Sequence, residues 1–242
     1  MNRNLVALSV AFAAIAAVLF ATRSQPELAT SPTSKHDPLS ELALIWDASE
    51  SSATRCDEVV GLVEREMRSM ESDDEWKGVR FTFFATGDGS SGWQPRMLMM
   101  KALTTPARII DSQHIYWRER TALLFEVRNR CLAVHRTKSS PIYFSLARAA
   151  DHLRSAGCGP NQPPCFIADV TDGQENRAFN WQMPAKLPPP IENASIHVTF
   201  CGFAQSVASR SSDPVVAGRL EKTWKALFTH PDLVRIEPFC PQ

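Results

Sequence analysis

Leu42-Ala43-Leu44-Ile45-Trp46-Asp47-Ala48-Ser49-Glu50-Ser51 is a continuously apolar run that ends in an acid and two spaced hydroxyls. A run without polar alternation suits a strand buried on both faces of a parallel sheet. The residues after it then fall at the strand's carboxyl end, where open α/β sheets bind their ligands.

Outward from this strand, helical and extended periods alternate. Asp57 to Met70 carries Val59, Val60, Val63 and Met67 on one helical face. Glu71 to Glu75 reads as a polar turn. Val79 to Thr86 reads as a second strand, closed by Gly87-Asp88-Gly89. Pro95 to Leu103 reads as a short Met-rich helix and Ala107 to Ile110 as a short edge strand. Trp117 to Val134 and Pro141 to Arg154 are spaced as helices, the second opened by a proline. Cys165 to Val170 is another buried strand and stops at Thr171-Asp172-Gly173. Ser195 to Cys201 and Leu233 to Glu237 are further strands, and Asp213 caps a helix from Pro214 to Thr229. The pattern predicts an α/β fold, Rossmann-like and doubly wound, with a mostly parallel central sheet and helices on both faces.

The first 38 residues concern address. Met1-Asn2-Arg3-Asn4 precedes residues 5–21, which carry no charge. A basic head and an apolar run make an export signal, either kept as a signal anchor in the inner membrane or cleaved. Residues 22–38, rich in Ser, Thr, Pro and Ala, read as a flexible linker, with the folded domain at 39–242. The destination is membrane-anchored facing the periplasm or extracellular side, or secreted if the signal is cut. Six cysteines behind such a signal predict disulfides, in any of fifteen pairings. No Cys-x-x-Cys pair occurs and the histidines are scattered, which argues against a zinc site. Lys and Arg total 26 against 26 Asp and Glu, so the basic footprint of a non-specific nucleic-acid binder is absent.

The strand ends gather oxygen donors: Asp47, Ser49 and Ser51 after the first strand, Asp172 after Val170, and Ser139 or Ser140 before the helix at Pro141. Two acids and three hydroxyls suit a hard divalent cation, Mg²⁺ or Mn²⁺, with water completing the shell. An ion so held stays open to solvent and attracts a carboxylate from outside.

These residues carry a resemblance. Asp47-Ala-Ser49-Glu-Ser51 resembles the Asp-x-Ser-x-Ser signature of the von Willebrand factor A domain. Thr171-Asp172-Gly173 is similar to that family's third motif, and Ser140-Pro-Ile to its second, usually Thr-Pro-Leu. The order of elements from 39 to 240 is similar to the family's fold. The resemblance implies a metal-ion-dependent adhesion site, with Ser49, Ser51 and Ser140 as direct ligands and Asp47 and Asp172 completing the shell. Ser140 departs from the usual threonine, keeping the hydroxyl but losing the methyl that fixes its rotamer. Between Asn180 and Asn193, where the family has a helix, Met-Pro-Ala-Lys-Leu-Pro-Pro-Pro-Ile predicts an extended loop. Placed on that fold, the cysteines pair as Cys56–Cys131, Cys158–Cys165 and Cys201–Cys240.

Three functions follow. The first is a binding module that holds a protein partner by the partner's carboxylate, with Trp93, Arg177 and Trp181 around the contact. The second is a metal-dependent hydrolase. It is disfavoured because no Gly-x-Ser-x-Gly elbow or Asp-x-Asp motif occurs. The third is a structural subunit of an envelope assembly, without metal-dependent binding.

Overall fold

The structure is a computed structural model that describes residues 39–50, 52, 55–72, 77–86, 95–104, 110–175, 178–180, 186–203 and 213–241. The apolar run 5–21, the linker 22–38, Gly87-Asp88-Gly89 and the turn at 73–75 lie outside the described residues. No helix among the described residues is long and apolar enough to cross a membrane.

Six strands form one sheet: β1 (Ser40–Trp46), β2 (Gly78–Ala85), β3 (Arg96–Thr104), β4 (Cys165–Val170), β5 (Ile196–Cys201) and β6 (Val234–Glu237). Their spatial order is β3-β2-β1-β4-β5-β6. All neighbours are parallel except β2 and β3. Every residue of β1 is buried, as its unbroken apolar run requires of a strand with neighbours on both edges.

Among the described residues four α-helices cover the faces: α1 (Cys56–Glu71), α2 (Ile110–Leu132), α3 (Ile142–Ser155) and α4 (Pro214–Lys225). Leu42, Leu44 and Trp46 pack with Val59, Leu62, Val63 and Met67 of α1 and with Leu123 and Val127 of α2. Ala43 and Ile45, on the opposite pleat, pack with Ile142, Leu146 and Leu153 of α3 and with Leu220 and Trp224 of α4. This alternation gives two apolar cores around one sheet. Asp213 caps α4 through its Oδ1, which accepts from Val215 N at 2.8 Å and Val216 N at 3.3 Å.

Two expectations need correction. Residues 95–103 do not form a helix; Arg96–Thr104 is the antiparallel edge strand β3. The buried residues there, Met99 and Leu103, are four apart, a spacing that suits one helix face and, being even, one strand face equally. The edge strand expected at 107–110 does not form at Ile110, which opens α2; Ala107, Arg108 and Ile109 lie outside the described residues. α2 also starts seven residues before the expected Trp117. His114 and Ile115 in its opening turns are exposed, so no apolar stripe announces them.

All six cysteines are bonded, as Cys56–Cys131, Cys158–Cys165 and Cys201–Cys240. The first ties the start of α1 to the end of α2. The second closes the turn between α3 and β4, and the third ties the end of β5 to the chain's last segment. Residues 186–193 form no helix, in line with the proline-rich sequence.

Candidate functional site

In this strand order the chain runs to one side of β1 through β2 and β3, then returns to the other side through β4 to β6. The gap beyond the carboxyl ends of β1 and β4 is therefore the topological switch point. Asp47 stands there, fully buried, with its N–H donating to Val170 O at 2.9 Å.

The Asp47 carboxylate is a hub. Its Oδ1 accepts from Ser49 N at 3.0 Å, from Thr86 Oγ1 at 3.1 Å and, at the outer limit of a hydrogen bond, from Ser140 Oγ at 3.5 Å. Its Oδ2 accepts from Thr171 Oγ1 at 3.0 Å. Four loops thus meet on one side chain. Burial pushes the Asp47 carboxyl up, and the bonds from Ser49, Thr171 and Thr86 oppose that shift.

The backbone holds these loops in register. Ser49 and Thr137 form a parallel bridge, Thr137 N donates to Ala48 O at 3.1 Å, and Glu50 N donates to Thr137 O at 2.7 Å. Arg136 donates to Ser49 O at 2.9 Å and to Ser52 O at 2.5 Å, with its guanidinium 5.9 Å from the Trp46 ring centroid. This brings the chain before α3 against the loop after β1. Ser140 is fully buried and faces Asp47. Ser139 is partly exposed, and its N–H and carbonyl are engaged by the Thr137 hydroxyl. Of the two serines, Ser140 is the one at the hub.

Asp172 is also fully buried, and its Oδ1 accepts from Gln174 N at 2.9 Å. Gly173 beside it has φ +75°, and a Cβ there would lie 2.6 Å from the Phe203 ring. Only glycine suits that place. Gly173 O accepts from Trp224 Nε1 at 2.8 Å, which fixes the loop to α4.

Sequence reading missed four residues here. Thr86 and Thr171 supply hydroxyls to Asp47; they stood at strand ends but in unremarkable company. Glu175 is buried, with Oε2 accepting from Tyr143 N at 2.7 Å and Oε1 from Ala178 N at 3.0 Å. It places an anion at the first turn of α3, where the helix dipole favours one. Asp169 is buried within β4, an acid inside an otherwise apolar strand; that interruption was the available signal. Burial, then the charges of Asp47, Asp172 and Glu175, hold its carboxyl well above the usual range.

Asp47, Ser49, Ser140 and Asp172 therefore lie at the carboxyl rim as buried oxygen groups, with Ser49 and Ser140 both donating to Asp47. Ser51, Trp93, Arg177 and Trp181 lie outside the described residues. No three His, Cys, Asp or Glu side chains among the described residues form a ligand group, so a cation here would depend on hydroxyls. The donor chemistry fits a hard divalent ion. A serine hydroxyl that donates its proton to Asp47 keeps its lone pairs for a ligand.

No protein-family model matches the sequence, and no curated protein matches it significantly. Solved structures do resemble the fold. The pilus adhesin SpaC of Lactobacillus rhamnosus GG matches at TM-score 0.46 and 11% identity, over 85% of this chain and 29% of the adhesin. Proximal thread matrix protein 1 of the mussel byssus matches at TM-score 0.42 and 12% identity, over 84% of this chain and 44% of that protein. An aerotolerance-related membrane protein of Bacteroides fragilis matches at TM-score 0.40 and 10% identity, over 84% of this chain and 92% of that one. This chain spans less than half the length of the first two. Its strand order and its antiparallel edge give the chain a doubly wound α/β fold like that of the von Willebrand factor A domain.

Proposed function

We propose that this protein is an exported, non-enzymatic binding module that holds a protein partner through a divalent cation, Mg²⁺ or Mn²⁺. Residues 1–21 serve as signal anchor or signal peptide, 22–38 as linker and 39–242 as the binding domain, displayed on the periplasmic or extracellular side. Ser49, Ser51 and Ser140 ligate the ion, Asp47 and Asp172 complete its shell, and a carboxylate of the partner takes the open position. Trp93, Arg177 and Trp181 border the contact. The observation that supports this most is the convergence of Ser49, Thr86, Ser140 and Thr171 on the buried Asp47 at the switch point.

A second reading has its own support. Asp47 already accepts four hydrogen bonds within the protein, so the hub also serves as a purely structural tie in a subunit that binds its partner without metal. Thermal unfolding of the chain in Mg²⁺, Mn²⁺ or EDTA separates the two. A ligand of the folded state raises the midpoint by mass action. The expected result is a metal-dependent rise that is lost in S140A and D172N as well as in D47A. No rise at millimolar metal would leave the structural reading standing.

A further inference from the structure

Asp169 is the strangest residue in the core. It sits inside β4 with no exposure, and neither carboxylate oxygen has a hydrogen-bond partner among the described residues. It forms no ion pair there either. Burying a carboxyl in this state is costly, and an apolar side chain would serve the strand better. Ala168 and Val170 on either side of it show that the strand otherwise follows that rule.

Its position is informative. Asp169 pairs in register with Ile45 on β1. Two residues on, Thr171 bonds Asp47, which is itself two residues beyond Ile45. Side chains two apart share a face, so Asp169, Thr171 and Asp47 lie on the same side of the sheet. Asp169 is thus one pleat below the hub, about 7 Å down the strand. It is close enough to feel the charges of Asp47, Asp172 and Glu175. A cation at the hub would lie across the same short, dry distance, where Coulomb interaction is poorly screened.

We propose that Asp169 is a positioning group beneath the cation site: it does not touch the ion, but when an ion binds above it its carboxyl gives its proton to solvent, and the resulting carboxylate strengthens the binding of multivalent cations. This rests on the metal-binding reading. It gives the unpartnered carboxyl a partner, the ion itself. It also sets the chemistry of the preferred ligand, since an added negative charge favours an ion in proportion to the ion's charge.

Calorimetric titration of the full chain with Mn²⁺ and with Tb³⁺, beside D169N and D169V, tests this. Neither variant can ionise when an ion binds; the first keeps the shape and the second suits a strand. The expected result has three parts. The metal-free unfolding midpoint rises in D169V, which buries no polar group; in both variants Mn²⁺ affinity falls about tenfold, as for lost outer-shell partners, and Tb³⁺ affinity falls by a larger factor. Unchanged Mn²⁺ affinity in both variants overturns the inference alone, making Asp169 a plain core acid. Equal losses for Mn²⁺ and Tb³⁺ overturn it too, because a packing defect does not count ionic charge. If the unaltered protein binds neither ion, the metal-binding reading falls and this inference with it.

Discussion

At the amino-terminal rim of the sheet, Glu41 on β1 is buried 3.1 Å from the guanidinium of Arg80 on β2. At the carboxyl rim of the same strand, Asp47 is buried among N–H and hydroxyl donors, with no ion pair among the described residues. Both side chains stand on the α3 face of β1. The lower rim has its own cations: Arg80 beside Glu41, with Arg148 close enough to lower the pKa of His152, whose Nε2 lies 3.1 Å from Thr82 Oγ1. The upper rim places Asp47, Asp172 and Glu175 close enough to Asp169 to push its carboxyl up further. An acid paired within the fold is locally balanced. Asp47, held by neutral donors, leaves its charge for something from outside to meet.

The largest expected effects come from one glycine near each rim. Gly78 has φ +129°, and a Cβ there would lie 2.2 Å from Leu103 O, a backbone atom of the neighbouring strand. Gly173 has φ +75° and would meet the more yielding Phe203 ring. G78A is expected to cost about 3 kcal/mol or more and G173A somewhat less, in denaturant midpoints. The comparison sharpens in metal. G173A shifts the segment that carries Asp172 and is expected to weaken the metal response, while G78A keeps it. The same metal response in both variants would break the distinction between the rims.

Glu41 gives the next effect. Burial pushes its carboxyl up to about 7 despite the opposing charge of Arg80. The folded state therefore holds the proton more tightly than the unfolded chain. The stability this contributes is present below the unfolded pKa near 4.5 and is lost as pH rises through about 7. E41Q keeps the shape without the charge. It is expected to match the unaltered protein near pH 5 and to exceed it by about 2 kcal/mol at pH 8. EDTA is expected to change neither value, since this rim has its own cation. Denaturant titrations at the two pH values check this, and a constant offset between them would refute it.

What was legible in the sequence follows from how local each signal is. The unbroken apolar run 42–46 announces the central strand because only a strand with two neighbours buries both faces. Asp213 before Pro214 announces α4 because a cap acts on the next few N–H groups. Arg96–Thr104 was not legible, since the spacing of Met99 and Leu103 fits two periods and only pairing with β2 decides between them. The hub was half legible. Asp47, Ser49, Ser140 and Asp172 stand in recognisable motifs. Thr86 and Thr171 gain their role only when separate strands align beside β1. Glu175 was missed for the same reason: its partner, the first turn of α3, is 32 residues away in sequence.

The smallest effect tests whether surface charge matters at the carboxyl rim at all. Arg128 Nε on α2 and Asp57 Oδ1 on α1 are 2.9 Å apart, with side chains 51% and 72% exposed. Such a pair gains little in water and is screened by salt. It also sits beside Cys56–Cys131, the disulfide joining the same two helix ends. The bond already holds the helices together, so the ion pair orders little that is not already ordered. R128A is therefore expected to change stability by less than about 0.5 kcal/mol and to leave the metal response intact. A loss beyond about 1 kcal/mol, or a changed metal response, would mean that charge on this rim acts over a longer range than the buried acids alone. The contrast drawn between the rims would then belong to their surfaces as much as to their cores.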